Sequence, residues 1–327
     1  MFIRPRVLSI LTTRRCTAAC DHCCVGASPR AKDAIPIERI HGLIDEAKRI
    51  PSIERIVFTG GECFLLGQDL DALIAHAHEL EFGTRVVTNG YWAVNEKAAR
   101  ERVHALANAG LDEMMLSTGT FHQRFIAVDP IVHAAQAAAK ARIATRISIE
   151  AFDQSTFDET ILREKLADEI ASGAVYLTLA PWIPDAGGRG TAELSHRTFK
   201  GPDAAVSDGC AQIMNVISVT PTQTLTACCG FPMEQLPALT IGSVSASSLD
   251  EALRNAPNRL LQIWLHVSGP AGIADFVARY VPGYRLNPGK SICQACTQVQ
   301  RDNVALKVIA EHAAEIAQSV TERFATT

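Results

Sequence analysis

The sequence predicts an α/β fold: a partial TIM-like barrel of six strand–helix units, (βα)6, followed by a small second domain. Three observations predict it. Through the first 180 residues, short β-rich runs alternate with amphipathic stretches, the pattern of a parallel sheet with crossover helices. The chemically unusual residues all follow strand-like runs, on the side where parallel α/β folds build their sites. Beyond residue 185 the periodicity stops, and a second group of cysteines begins.

Taken in order, strands are predicted at 6–11, 55–59, 84–88, 113–117, 145–151 and 175–180. Helices are predicted between them at 37–50, 69–80, 96–109, 130–141 and 159–172. In the first helix Ile37, Ile40, Leu43, Ile44 and Ala47 share one face. Six such units without a seventh and eighth imply an open barrel. The stretch 185–208, which begins Asp185-Ala-Gly-Gly-Arg189-Gly-Thr, carries no periodicity and reads as a linker. The expected organisation is therefore a barrel at 1–184, a linker at 185–209, a cysteine-bearing domain at 210–300 and a C-terminal helix at 301–327. In that last stretch Val304, Val308, Ile309, Ala313, Ile316 and Val320 turn toward the core.

A chain of 327 residues that is 47% hydrophobic can bury a full core, and 20% charged is ordinary for a soluble protein. A net charge of −4 with pI near 6.2 argues against a nucleic-acid surface. No apolar run reaches the length of a membrane span, and the N-terminus lacks a signal peptide's cleavage site. A cytoplasmic protein with no membrane partner is expected. Its ten cysteines fall at 16/20/23/24, 63, 210, 228/229 and 293/296. In such a chain, clustering of this kind reads as metal ligation rather than a disulfide framework.

The first cluster is Cys16-Thr-Ala-Ala-Cys20-Asp-His-Cys23, directly after the first strand. Three thiolates at this spacing can wrap one face of an iron–sulfur cube and leave its fourth iron without a protein ligand. A cluster that only transfers electrons normally has four cysteine ligands. A structural zinc site also wants four closed ligands, and His22, between two of the cysteines, is a poor fourth. The motif resembles the signature of the radical S-adenosylmethionine (SAM) enzymes, with His22 at a position usually aromatic. That resemblance implies a 4Fe–4S cluster whose open iron chelates the amino and carboxylate groups of SAM. One electron, from an external reductant of flavodoxin or ferredoxin type, then splits SAM to give a deoxyadenosyl radical.

The second strand ends in Thr59-Gly60-Gly61-Glu62-Cys63. Paired glycines admit a close backbone approach to a ligand, and Glu62 can accept from an ammonium group. The run resembles the family's Gly-Gly-Glu-Pro motif, which holds the SAM amino group, with Cys63 in place of proline. Thr88, Asn89 and Ser117 resemble family positions lining the ribose and methionine parts of SAM, although Asn89-Gly90 also reads as a turn. Arg146 and Glu150 share one face of the fifth strand; Arg146 either meets a carboxylate or is a solvated charge. The segment around Arg189 resembles the Gly-Arg-Ala/Gly stretch where auxiliary-cluster domains join such barrels, which implies a packing or anion-binding arginine.

In the second set, Cys210 and Cys228 flank an expected hairpin, 213–220 and 224–227 around a Pro-Thr-Gln turn. With the closely spaced pair Cys293-Gln-Ala-Cys296, four cysteines from two distant segments can close a complete metal site. The pattern resembles the Twitch domain, the short form of the SPASM domain, and implies one auxiliary 4Fe–4S cluster, two clusters in all. On an extended segment the neighbours Cys228 and Cys229 point to opposite faces. The spacing therefore assigns Cys228 to the metal and leaves Cys229 as a thiol. The chain as a whole resembles Twitch-type peptide epimerases, which share its Cys-Asp-His-Cys-Cys start, its Gly-Gly-Glu loop and a Cys-Cys pair. In those enzymes the second cysteine of the pair donates a hydrogen atom to a peptide radical. A buried structural cysteine is the alternative for Cys229, and structural roles are expected for Cys24 and Cys63.

The resemblance implies a radical SAM epimerase that converts L- to D-residues in a ribosomally synthesised precursor peptide. With fifteen residues before Cys16, the peptide is expected to be gripped by the barrel and the auxiliary domain. The alternatives are a dehydrogenase resembling 2-deoxy-scyllo-inosamine dehydrogenase or a peptide cross-linking enzyme, either using the auxiliary cluster as electron acceptor. A redox-sensing iron–sulfur protein without SAM chemistry is the alternative from another class.

Overall fold

The computed structural model describes residues 4–151, 155–181, 188–189, 209–230, 233–256, 259–286 and 291–326. Most of the expected linker, with Trp182 before it, lies outside those residues. The first strands and helices alternate as expected: β1 (Val7–Leu11), α1 (Ile37–Lys48), β2 (Arg55–Thr59), α2 (Gln68–Glu79), β3 (Gly83–Thr88), α3 (Glu96–Asn108), β4 (Glu113–Thr118), α4 (Val128–Lys140) and β5 (Ala144–Ala151). The helix expected at 159–172 is instead two short ones, α5 (Thr160–Lys165) and α6 (Ala167–Ala171), before β6 (Val175–Pro181). They part at Leu166, whose φ of −120° is not helical and whose side chain is fully buried.

Strands β1 to β6 pair in parallel with their neighbours, in sequence order. One face of the sheet is apolar and covered: Leu8, Ile10, Phe58, Val86, Leu116 and Ile147 are sealed with helix residues such as Ile40, Leu43, Leu70 and Leu73. Strand register puts Arg85, Glu113, Met115, Ser117, Arg146 and Ser148 on the other face, which stays partly open. There Arg55 and Arg85 both pair with Glu113. This is a partial TIM-like barrel with its helices outside and its open face inside.

The hairpin does not make a sheet of its own. Its strand β7 (Val216–Val219) joins β1 in parallel, on the side away from β2, and β8 (Thr224–Thr226) and β9 (Thr240–Ser243) extend the same sheet antiparallel. All four residues of β7 are buried, the mark of a strand covered on both faces. After β9 come α7 (Leu249–Arg254), α8 (Arg259–Ala278), α9 (Ile292–Arg301) and α10 (Asn303–Thr326). The sequence reading had assigned neither β9 nor α8; α8 consists of two helical pieces meeting at Gly269-Pro270, which interrupts its periodicity. Among the described residues no helix is long and apolar enough to cross a membrane.

Candidate active site

Beyond β1 the chain is tied down before it reaches the cysteines. Thr12 N donates to Thr59 O at 2.8 Å, Arg14 N to Asp33 O at 2.8 Å and Cys16 N to Ser28 O at 3.1 Å. The loop so closed gathers Cys16, Cys20 and Cys23 with Ala18, Ala27, Phe121 and Ile126 in a small apolar cluster apart from the main core. Burial raises the Cys16 thiol to about 11 and pushes Cys20 higher still, and the neighbouring thiols act in the same direction. Thiolates here need a metal to hold them. Donors are nonetheless aimed at the sulfurs. Ala18 N and Asn89 Nδ2 lie 3.4 and 3.5 Å from Cys16 Sγ, and Ala27 N lies 3.3 Å from Cys23 Sγ. Such bonds suit the thiolate ligands of an iron–sulfur cluster.

What Gly60 and Gly61 approach, among the described residues, is the chain leading into that loop. A Cβ on Gly61 would stand 2.4 Å from Arg15 O. Its N–H donates to Thr13 O at 2.6 Å, and Glu62 N donates to Arg15 O at 2.9 Å. Glu62 is fully buried and accepts from Thr88 Oγ1 and Asn89 N, both at 2.8 Å, and from Phe64 N at 3.1 Å. Burial raises its carboxyl to about 7 in spite of these three donors. No lysine or arginine pairs with it among the described residues. A carboxylate with hydrogen-bond support but no counter-charge fits an incoming ammonium. Thr88 is committed to this support, since its hydroxyl also accepts from Gly90 N and Trp92 Nε1, each at 3.2 Å. Asn89 Nδ2 also reaches Thr17 Oγ1, at 3.1 Å, and so joins the two loops. Ser117 stands half-buried on the open face of β4.

The sequence reading missed one constellation. Glu150, near the end of β5, accepts from Phe121 N at 2.6 Å and pairs with His122 Nδ1 at 3.1 Å. The His22 ring stacks on Phe121 and meets His122 edge-on, with ring centroids 4.9 and 4.8 Å apart. Ligating atoms of His22, His122 and Glu150 all lie within 4.8 Å of one another. Burial, followed by His122, holds His22 well below the usual histidine range. The sequence singles out His22 and Glu150 separately, but only the folding together of three distant segments joins them with His122.

The second cysteine set comes from three stretches of the fold. Cys210 precedes β7, Cys228 and Cys229 follow β8, and Cys293 and Cys296 sit one turn apart at the start of α9, which Ser291 caps. Burial raises the Cys228 thiol, and Cys229, Cys296 and Cys293 add to the effect. Cys296 is pushed up to about 12 by burial, with Cys293 and Cys210 acting the same way. These thiols thus lie within electrostatic reach of one another, and Cys229 is among them. Gln300 Nε2 donates to Cys296 Sγ at 2.9 Å. Cys229 differs: its side chain is exposed, with Sγ 3.9 Å from Gln212 Oε1. Crowding raises its thiol pKa even so, while Arg85, on the open face of β3, opposes the shift.

Strand polarity separates the two sets. The loop with Cys16 leaves the C-terminal end of β1. Since β8 runs against β7 and β1, Cys228 and Cys229 emerge at the other end: Met214 N donates to Ala227 O at 2.7 Å, and Asn215 O accepts from Val7 N at 3.1 Å. At the rise of an extended chain, the five residues of β1 alone hold the two levels about 16 Å apart.

Residues 10–165 match the family model described as the Radical SAM superfamily. Over that stretch, a little under half of its length, the chain is similar to the radical SAM enzymes. Over 121 residues it is 31% identical to the "Putative peptide biosynthesis protein YydG" of Bacillus subtilis (strain 168), a stretch covering 37% of this chain and 38% of that protein. Among solved structures, native anSMEcpe with bound AdoMet and Cp18Cys peptide superposes with a TM-score of 0.54 at 12% identity, over 97% of this chain and 99% of that one. Streptococcus suis SuiB, bound to precursor peptide SuiA, gives 0.52 at 15% identity, over 80% and 64%. At such identities the likeness is one of fold. A radical SAM domain takes a 4Fe–4S cluster and SAM. The donor-supported thiols of the 16–23 loop, and the buried carboxylate of Glu62, which no lysine or arginine pairs with among the described residues, have the chemistry to hold them.

Proposed function

We propose that this protein is a radical SAM peptide epimerase, converting L- to D-residues in a ribosomally synthesised precursor peptide. In this proposal Cys16, Cys20 and Cys23 hold the SAM-binding cluster. Gly60, Gly61, Glu62, Thr88, Asn89 and Ser117 surround SAM, with Glu62 on its ammonium. Cys210, Cys228, Cys293 and Cys296 hold an auxiliary 4Fe–4S cluster, and Cys229 is the hydrogen donor. The observation that carries the proposal is the exposed Cys229 thiol at the end of the sheet opposite the Cys16 loop, with the open face between them.

Bound together, cluster and SAM supply a deoxyadenosyl radical, which abstracts hydrogen atoms. Hydrogen lost from one side of a peptide Cα and returned to the other inverts that centre. Cys229 can make the return: its S–H bond breaks, a new Cα–H bond forms, and the thiyl left behind takes up one electron and one proton. The electron comes from the external reductant. A thiol held beside the reacting carbon outcompetes solvent by proximity. Support for a peptide substrate comes from YydG, which is named for peptide biosynthesis.

Chiral analysis and mass spectrometry test the proposal, using reconstituted protein, SAM, reductant and a candidate precursor peptide. In heavy water each new D-residue should carry one deuterium at Cα, and in light water the mass should not change. A product lighter by two hydrogens would overturn the proposal in favour of dehydrogenation or cross-linking through the second cysteine site.

A further inference from the structure

The loop that bends around Cys16, Cys20 and Cys23 cannot satisfy all its carbonyls by a regular ladder, so they need partners from elsewhere. Arg189 supplies them from the far side of the sequence. Its Nε and Nη2 donate to Cys20 O at 3.1 and 3.0 Å, Nη2 also donates to Ala27 O at 2.8 Å, and its backbone N donates to Cys23 O at 3.0 Å. Gly188 lets the segment come so close. At its φ of 58°, an added Cβ would stand 2.3 Å from Cys23 O and 2.5 Å from Cys24 O. The sequence suggested packing or anion binding for Arg189; its guanidinium is instead spread over loop carbonyls.

We propose that Arg189 is a positioning residue for the cluster of the 16–23 loop. It holds the loop in ligating shape and raises the cluster's reduction potential. The proposal rests on the reading that this loop carries an iron–sulfur cluster. Two physical points support it. A guanidinium keeps its proton in proteins, so its charge stays beside the loop at any working pH. Net charge and hydrogen bonding set cluster potentials, and a nearby cation favours the reduced, more negative state. The planar fork also meets two carbonyls at once, where a lysine offers a point charge.

The test uses the full-length, reconstituted protein with Arg189→Met and Arg189→Lys. The SAM-responsive cluster signal is followed by electron paramagnetic resonance through a redox titration, and amide exchange is measured across residues 16–28. Arg189→Met should shift the midpoint to more negative potential and speed exchange in the loop. Arg189→Lys should retain most of the potential while still loosening the loop, a split that generic misfolding would not produce. Parent potential and parent exchange in Arg189→Met would overturn the proposal. A triple Cys16/Cys20/Cys23→Ala variant that keeps the parent's full iron content would instead overturn the reading of the loop on which it rests.

Discussion

Glu62 shows most directly how one residue's surroundings become a measurable property. Burial raises its carboxyl from 4.5 to about 7. Between those values the folded chain keeps a proton that the unfolded chain has released. Glu62 therefore lowers stability progressively as pH rises through that window. An arriving ammonium favours the ionised form, so SAM binding below pH 7 should release a proton, and affinity should rise with pH and level off above 7. Calorimetry in buffers of different ionisation enthalpy checks this. Glu62→Gln should abolish the proton release and weaken binding by roughly 1.5–3 kcal/mol, the worth of a charge-assisted contact. Unchanged affinity in that variant would mean that Glu62 only braces the turn. The adjacent cysteines give a second residue-scale prediction. Cys228→Ala should lose iron, because it removes a proposed ligand of the second site. Cys229→Ala should keep iron and SAM cleavage but lose D-residue formation and accumulate a peptide radical detectable by electron paramagnetic resonance. D-product at the parent rate from Cys229→Ala would defeat the proposed hydrogen return.

At the scale of elements, β7 welds the cysteine-bearing hairpin to the barrel. Ile217 is fully buried and lies in register beside Leu8. Ile217→Ala should cost about 2–5 kcal/mol, the usual penalty for an aliphatic-to-alanine cavity in a core. Chemical denaturation measures it, and a loss below about 1 kcal/mol would mean that the strand repacks freely. The Gly60-Gly61 turn plays the corresponding part on the other side of β1. Gly61→Ala would drive a Cβ into Arg15 O, so the 16–23 loop should bind less iron while the second set keeps its own.

For the whole molecule, the sheet running from β6 to β9 without a break links two cysteine sets at opposite ends. A metal that binds only the folded chain stabilises it. Removing iron from the second set should therefore lower the melting temperature and reduce amide protection in β1 as well as in β7 and β8. Protection lost only within 209–301 would show that the continuous sheet does not transmit the change.

Much of this was legible in the residues. Each of the six barrel strands begins and ends within one residue of its predicted bounds, because alternation and helical spacing are local properties. The cysteine loop and the Gly-Gly-Glu turn were legible for the same reason, as the chemistry lies in neighbours along the chain. Tertiary structure alone decided which distant groups meet. β7 could have paired at either sheet edge or formed a separate sheet, since its four-residue run names no partner. Thr88 spends its hydroxyl on Glu62, a pairing across 26 residues that no local pattern names. Glu150, His122 and His22 became one cluster only when β5, the segment after β4 and the cysteine loop came together. Arg189 found its carbonyls across more than 160 residues of chain. Such contacts follow from register and packing, which depend on what lies alongside a residue in space rather than on what precedes it in sequence.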